Sequence, residues 1–188
     1  PSGNFGNIGA GLLAYKMGLP VKHFVAGTNI NDTVPRFLQD GRYAPKPSTQ
    51  TLANAMDVGN PSNWVRIQDL FGQDLDAIRA VVSSYTYTDE ETKLGMEEMY
   101  ARYNYVACPH TAIAYLAAKQ YRMEQQGNYA SVFLSTAHPC KFPDAITAEA
   151  FQAIELPAEA VALAQKERVV SKIDVDYDGF KSYLLMNK

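Results

Sequence analysis

The residues best suited to chemistry stand at the start of the chain, where Gly3, Asn4, Phe5, Gly6 and Asn7 follow Pro1 and Ser2 and lead straight into an apolar periodic run. Glycines let the backbone approach an anion closely and permit positive φ, and a loop that opens a helix turns its N–H groups outward where the helix dipole adds partial positive charge. Gly3, Asn4, Phe5 and Asn7 are therefore candidate residues of an anion cradle, with the asparagine side chains as short neutral donors. A plain turn capped by asparagine would use the same residues. Thr136, within Ser135–Pro139, follows a β-prone run, and its hydroxyl can both donate and accept. It suits a ring nitrogen, and equally a strand-terminal turn that satisfies itself. Arg36, embedded in 31–37, has a guanidinium fork that could hold a phosphate or carboxylate. Asp32, four residues earlier, could instead cap a short helix and pair with it. Asn54, Asp57, Asn60 and Asn63 are either ligands or loop punctuation, and His138 beside Pro139 is an acid/base or a structural residue.

Several chemistries have no support. The sequence has no Ser/His/Asp set in a recognisable context, no G-x-x-x-x-G-K-[ST] loop and no His/Glu cluster. Cys108, Cys140, His23, His110 and His138 are scattered singly, so no metal site is expected. Any reaction must draw on a bound cofactor or on residues outside this chain.

The elements that would position these residues alternate between helix and strand. Ile8, Leu12 and Tyr15 recur at helical spacing after the opening loop and stop at Gly18 and Pro20. Val21 to Ala26, ending at Gly27, predicts a short buried strand, so that helix and strand form half of a βαβ unit. Residues 29–63 predict irregular backbone with brief helices, a kind of segment that often covers a site. Helices are predicted over Trp64–Phe71 and Leu75–Tyr85, broken at Gly72, and a capping box at Thr88 to Glu91 starts another that runs to about Tyr103. Pro109–Gln125 predicts a helix with proline in its first turn, and Tyr129–Leu134 predicts the strand that would deliver Thr136. The tail from Asp144 alternates helical patches with Pro157 and an acidic stretch at 174–178.

Composition bounds the answer. The 188 residues are 47% hydrophobic and 20% charged, the balance of a globular domain with a real core. A formal net charge of -3 gives no footprint for nucleic acid or for a polybasic membrane face. No window carries the run of roughly 18 apolar residues that a membrane helix needs, and no signal peptide is recognisable, so a cytoplasmic protein is expected. The turn-rich opening, with no initiator methionine and no strand before it, reads as a fragment of a longer chain.

Six strings, in order, are more specific than any one: PSGNFGN, GLLAYKMGLPVKHF, NDTVPRFL, TLANAMDVGNPSNW, CPHTAIAY and STAHPCKF. Together they resemble the threonine synthases of the longer bacterial and fungal type, through Phe142. The resemblance implies an α/β chain, part of the two-domain pyridoxal-phosphate architecture of fold type II related to the tryptophan synthase β chain. Residues 1–142 would be the C-terminal part of the cofactor-binding α/β domain with a helical insertion, and 143–188 its helical tail. The implied activity is the pyridoxal 5'-phosphate-dependent conversion of O-phosphohomoserine and water to L-threonine and phosphate. Gly3, Asn4, Phe5 and Asn7 would then cradle the cofactor phosphate, Thr136 would face the pyridine nitrogen, and Asp32 and Arg36 would lie on the substrate side.

One element of the family pattern has no counterpart. The lysine that forms the Schiff base sits in a Ser/Ala-Phe-Lys-Asp string, which is expected upstream in the missing N-terminal part of the same enzyme; Lys141 belongs to a different motif. The fragment alone is accordingly expected to be inactive. Two other readings stay open, a related pyridoxal-phosphate lyase acting on another phosphorylated amino acid and a non-catalytic ligand-binding remnant.

Overall fold

A computed structural model describes residues 1–125 and 130–186. They fall into two compact units, Pro1–Ile154 and Glu155–Lys188. The first runs α1 (Gly6–Lys16), β1 (Phe24–Thr28), α2 (Thr33–Asp40), α3 (Trp64–Leu70), α4 (Leu75–Val81), β2 (Val82–Thr86), α5 (Asp89–Tyr103), α6 (Pro109–Gln125) and α7 (Ala148–Gln152). The second holds α8 (Ala158–Ala164) and α9 (Tyr177–Met186). None of the helices among the described residues is long and apolar enough to cross a membrane.

The sheet is a parallel pair, β1 against β2, in register from Phe24 opposite Val82 to Thr28 opposite Thr86. Parallel neighbours require a long crossover, here supplied by α2, α3, α4 and the irregular stretch between them. This pairing corrects two expectations. The first strand begins at Phe24 rather than Val21 and continues through Gly27 to Thr28. Gly27 is tolerated mid-strand because α6 presses on it: a Cβ there would lie 2.9 Å from the Ile113 carbonyl oxygen. The helix predicted over Leu75–Tyr85 ends at Val81, and its second half is β2. Val82 and the two serines after it are poor helix formers, and the open edge of β1 gives them a ladder instead.

A third expectation fails at 129–134. Tyr129 lies outside the described residues, and 130–134 is not a strand. A strand exists only through a partner, and β1 with β2 forms the only ladder among the described residues. Val132 is 89% exposed, with Leu134 exposed beside it.

The core of the first unit has two centres near the candidate site. Phe5 and Phe37 each set an edge against Trp64, at centroid distances of 5.4 and 5.8 Å, and join Ile8, Leu12 and Ile67. Met56, Tyr87, Ile113 and Ala117 form the second, between the loop 51–57 and the inner face of α6. The capping box closes the start of α5 as expected, Thr88 Oγ1 accepting from Glu91 N–H and Glu91 accepting from Thr88 N–H.

Candidate functional site

The opening loop is held by the fold on three sides. Ser2 N–H donates to the Gly27 carbonyl at 2.8 Å, tying the loop to the C-terminal end of β1. Gly3 lies against the backbone of Met56, where a Cβ would come within 2.5 Å of the Met56 Cα, so no larger residue fits without displacing 51–57. Asn4 is bound to 62–63: its Oδ1 accepts from Ser62 N–H at 2.6 Å, and its carbonyl accepts from Asn63 Nδ2 at 2.9 Å. Phe5 then turns the chain into α1 with φ 57°, in the left-handed region, while its buried ring packs on Trp64. Such a φ in a non-glycine residue costs energy that the burial of Phe5 helps to offset.

Past that turn, Gly6 and Asn7 are exposed, and the first intrahelical bond is Gly9 N–H to Phe5 carbonyl at 3.0 Å. The N–H groups before it have no intrahelical acceptor, and they share the positive end of α1. This arrangement can hold an anion through backbone. The Asn4 side chain is also tied to Ser62, its Oδ1 accepting from Ser62 N–H and its Nδ2 donating to Ser62 Oγ at 2.9 Å.

Behind the loop lies a polar knot that sequence reasoning did not assemble. Asn29, buried at the end of β1, donates from Nδ2 to Asp57 Oδ1 at 2.8 Å and to Thr51 Oγ1 at 2.9 Å. Asp57 also accepts from Thr51 N–H, Thr51 Oγ1 and Asn31 Nδ2. A carboxylate surrounded by donors fixes loop 51–57, and that loop is what Gly3 leans on. Asp57 thus acts as a brace; the hint in the sequence was the density of Asn, Asp and Thr in 29–57, without a rule for who meets whom.

Thr136 is solvent-exposed, and its hydroxyl has no hydrogen-bond partner among the described residues. Its neighbour Ser135 is anchored: Ser135 Oγ lies 3.1 Å from Thr111 Oγ1 and 3.2 Å from the Tyr105 hydroxyl. Thr111 also lies 3.2 Å from Cys108 Sγ. His138 accepts from Cys140 N–H through Nδ1, the structural role that competed with acid/base chemistry.

Arg36 pairs with Asp32, Nε to Oδ1 at 2.9 Å, and also donates to the Ala44 carbonyl at 3.1 Å. The helix-pairing alternative is therefore realised, although Asp32 makes no side-chain cap. Both face a broad cleft with Arg79, Ser83, Thr86 and Gln120.

The remaining polar group of note is His110, one turn before Ile113 on α6. It is 4% exposed, and neither ring nitrogen has a hydrogen-bond partner among the described residues. Burial pushes its pKa down to about 4, with the positive charge of the amino group at Pro1 and, less, Lys141 adding to the shift and Asp57 opposing it, so the imidazole is neutral at physiological pH. Phe142 packs on it at 4.9 Å.

A loop that offers backbone donors at a helix start, beside the C-terminal end of a parallel strand, is where doubly wound α/β folds bind phosphorylated ligands. The comparison with known families gives this its class: the profile described as "Pyridoxal-phosphate dependent enzyme" matches residues 1–136, and the chain belongs to that family. A second profile, "Threonine synthase, C-terminal", matches residues 111–184. Threonine synthase from Escherichia coli is 40% identical over 187 residues, covering 100% of this chain, and threonine synthase from Serratia marcescens is 40% identical over 185, covering 98%. The chain spans 42% of the length of each of these relatives. The crystal structure of threonine synthase from Escherichia coli superposes on the whole chain with a TM-score of 0.84 at 37% identity, the chain covering 43% of it. A structure of threonine synthase from Brucella melitensis, described as PLP bound, gives 0.81 at 29% identity over 98% of this chain and 44% of that one. The α/β, fold-type-II expectation holds.

The residues present fit such a cofactor at the loop. Its phosphate needs clustered neutral donors, and the exposed start of α1 offers them next to a position where only glycine fits.

Proposed function

We propose that this chain is the cofactor-anchoring part of a cytoplasmic threonine synthase, an enzyme that converts O-phosphohomoserine and water to L-threonine and phosphate with pyridoxal 5'-phosphate. Bound cofactor would supply the electron sink for eliminating the substrate phosphate and adding water. The loop Gly3, Asn4, Phe5 and Asn7 would hold the cofactor phosphate, mainly through backbone N–H groups at the start of α1. Thr136 would offer its neutral hydroxyl to the pyridine nitrogen, which leaves the ring less electron-withdrawing than a carboxylate partner would. Asp32 and Arg36 would sit on the substrate side, the aspartate orienting the guanidinium. The lysine that carries the cofactor would lie outside these 188 residues. The observation that carries the reading is the loop itself, where a left-handed Phe5 and a glycine-only contact at Gly3 present the first turn of α1 to solvent.

The test is product analysis with the natural full-length protein. Threonine and phosphate should appear in equal amounts from O-phosphohomoserine, and only with pyridoxal phosphate present. Phosphate accompanied by a keto acid would assign a related lyase, and no turnover would assign a binding remnant.

A further inference from the structure

The first turn of α6, Pro109–Thr111, joins the two halves of the candidate site. On one side Ile113, a turn beyond His110, packs with Met56, the residue that backs Gly3, and its carbonyl presses on Gly27, whose own carbonyl holds Ser2. On the other side Thr111 lies in hydrogen-bond reach of Ser135, next to Thr136. Between them stands His110, 4% exposed, with both nitrogens unpartnered among the described residues.

Buried polar groups are almost always paired, because each unmade hydrogen bond forfeits the hydration it had in the unfolded chain. A neutral imidazole has one N–H donor and one lone pair, so its complement is a group that both accepts and donates. A hydroxyl or a water is such a group; a phosphate, an acceptor only, belongs at the backbone N–H groups of α1. The start of a 17-residue helix adds partial positive charge, which favours an oxygen there.

We propose that His110 contacts the ligands of this site as a neutral hydrogen-bonding group for a hydroxyl oxygen, supplied either by the cofactor ring or by the amino-acid ligand and the water it takes up. The inference rests on the reading of the site as a pyridoxal-phosphate site.

The test uses the natural full-length protein as wild type, His110→Phe and His110→Gln, with melting curves to confirm that each is folded. Dissociation constants are measured for pyridoxal phosphate and its 3-O-methyl ether, and, on the loaded protein, for L-threonine and L-2-aminobutyrate, which lacks the hydroxyl. If the cofactor ring supplies the oxygen, His110→Phe weakens pyridoxal phosphate about five- to tenfold, leaves the ether unchanged, and His110→Gln restores most of the loss. If the amino-acid side supplies it, the same loss falls on threonine and spares 2-aminobutyrate. Wild-type affinities for all four ligands in a folded His110→Phe protein would overturn the proposal, as would an equal loss for all four, which marks a packing role. Where His110→Phe does not fold, the ¹⁵N shifts of the wild-type imidazole decide: movement with pyridoxal phosphate or threonine but not with the hydroxyl-blocked partner supports it, and no movement overturns it. Failure of the wild type to bind pyridoxal phosphate at all would instead defeat the reading of the site.

Discussion

The opening loop and the segment 130–138 carry the two halves of the candidate site, and the chain treats them differently. The loop is tied to β1 through Ser2, seated on Met56 through Gly3, bound to Ser62 and Asn63 through Asn4, and anchored in the aromatic core through Phe5. The segment before Thr136 has no ladder, leaves Val132 exposed, and is anchored by Ser135 and by an edge contact of Phe133 with Tyr115. An anion site made of backbone must be held by packing, because backbone geometry is what binds. A site made of one hydroxyl needs only its neighbours held.

That contrast can be broken most directly at Trp64, on which both Phe5 and Phe37 rest. Trp64→Ala should cost about 3–5 kcal/mol of unfolding free energy in a denaturant titration and take cofactor affinity with it. A loss under about 1 kcal/mol would mean the loop is not held by the core. Gly3→Ala should cost about 1–3 kcal/mol through the collision with Met56, with a larger relative loss of phosphate-ester binding.

A smaller effect is expected at the α5–α6 pairing on which 130–134 leans. Hydrogen bonds from Lys119 and Arg102 hold the Glu98 carboxyl at about 2, below its ordinary value of 4.5. A carboxyl depressed in the folded state stabilises above its unfolded pKa, and that contribution fades as pH falls from about 4.5 towards 2. Glu98→Gln should flatten this part of the acid-unfolding profile and cost no more than about 1 kcal/mol at neutral pH, since the pair is partly solvated. An unchanged acid profile would show that Glu98 does not stabilise the α5–α6 pairing.

The smallest stability change belongs to Thr136→Ala, within about 0.5 kcal/mol of wild type for an exposed side chain. Turnover of the full-length enzyme should nevertheless fall more than cofactor retention does. Lost cofactor with normal turnover per bound cofactor would reverse the roles of loop and hydroxyl.

The same contrast explains what the sequence made legible. Local signals were readable: the Thr88–Glu91 box, the bounds Pro109–Gln125, and the glycine-rich opening of α1 each depend on residues a few positions apart. Features set by distant partners were not. The change from helix to strand at Val82 depends on β1, 58 residues earlier in register, and the knot around Asp57 draws Asn29 and Asn31 from across α2. The strand predicted before Thr136 carries the right residue types, Val132 to Leu134, but lacks a neighbour to pair with among the described residues. Arg36 had two readings on sequence, and only coordinates could show Asp32 at 2.9 Å.

The most direct test of the central claim is the affinity of the full-length protein for pyridoxal phosphate against unphosphorylated pyridoxal, in wild type and Gly3→Ala. Wild type should show a strong preference for the phosphate ester that collapses in the variant while pyridoxal binding changes little. A preference that survives Gly3→Ala in a folded protein would place the phosphate elsewhere and contradict the claim.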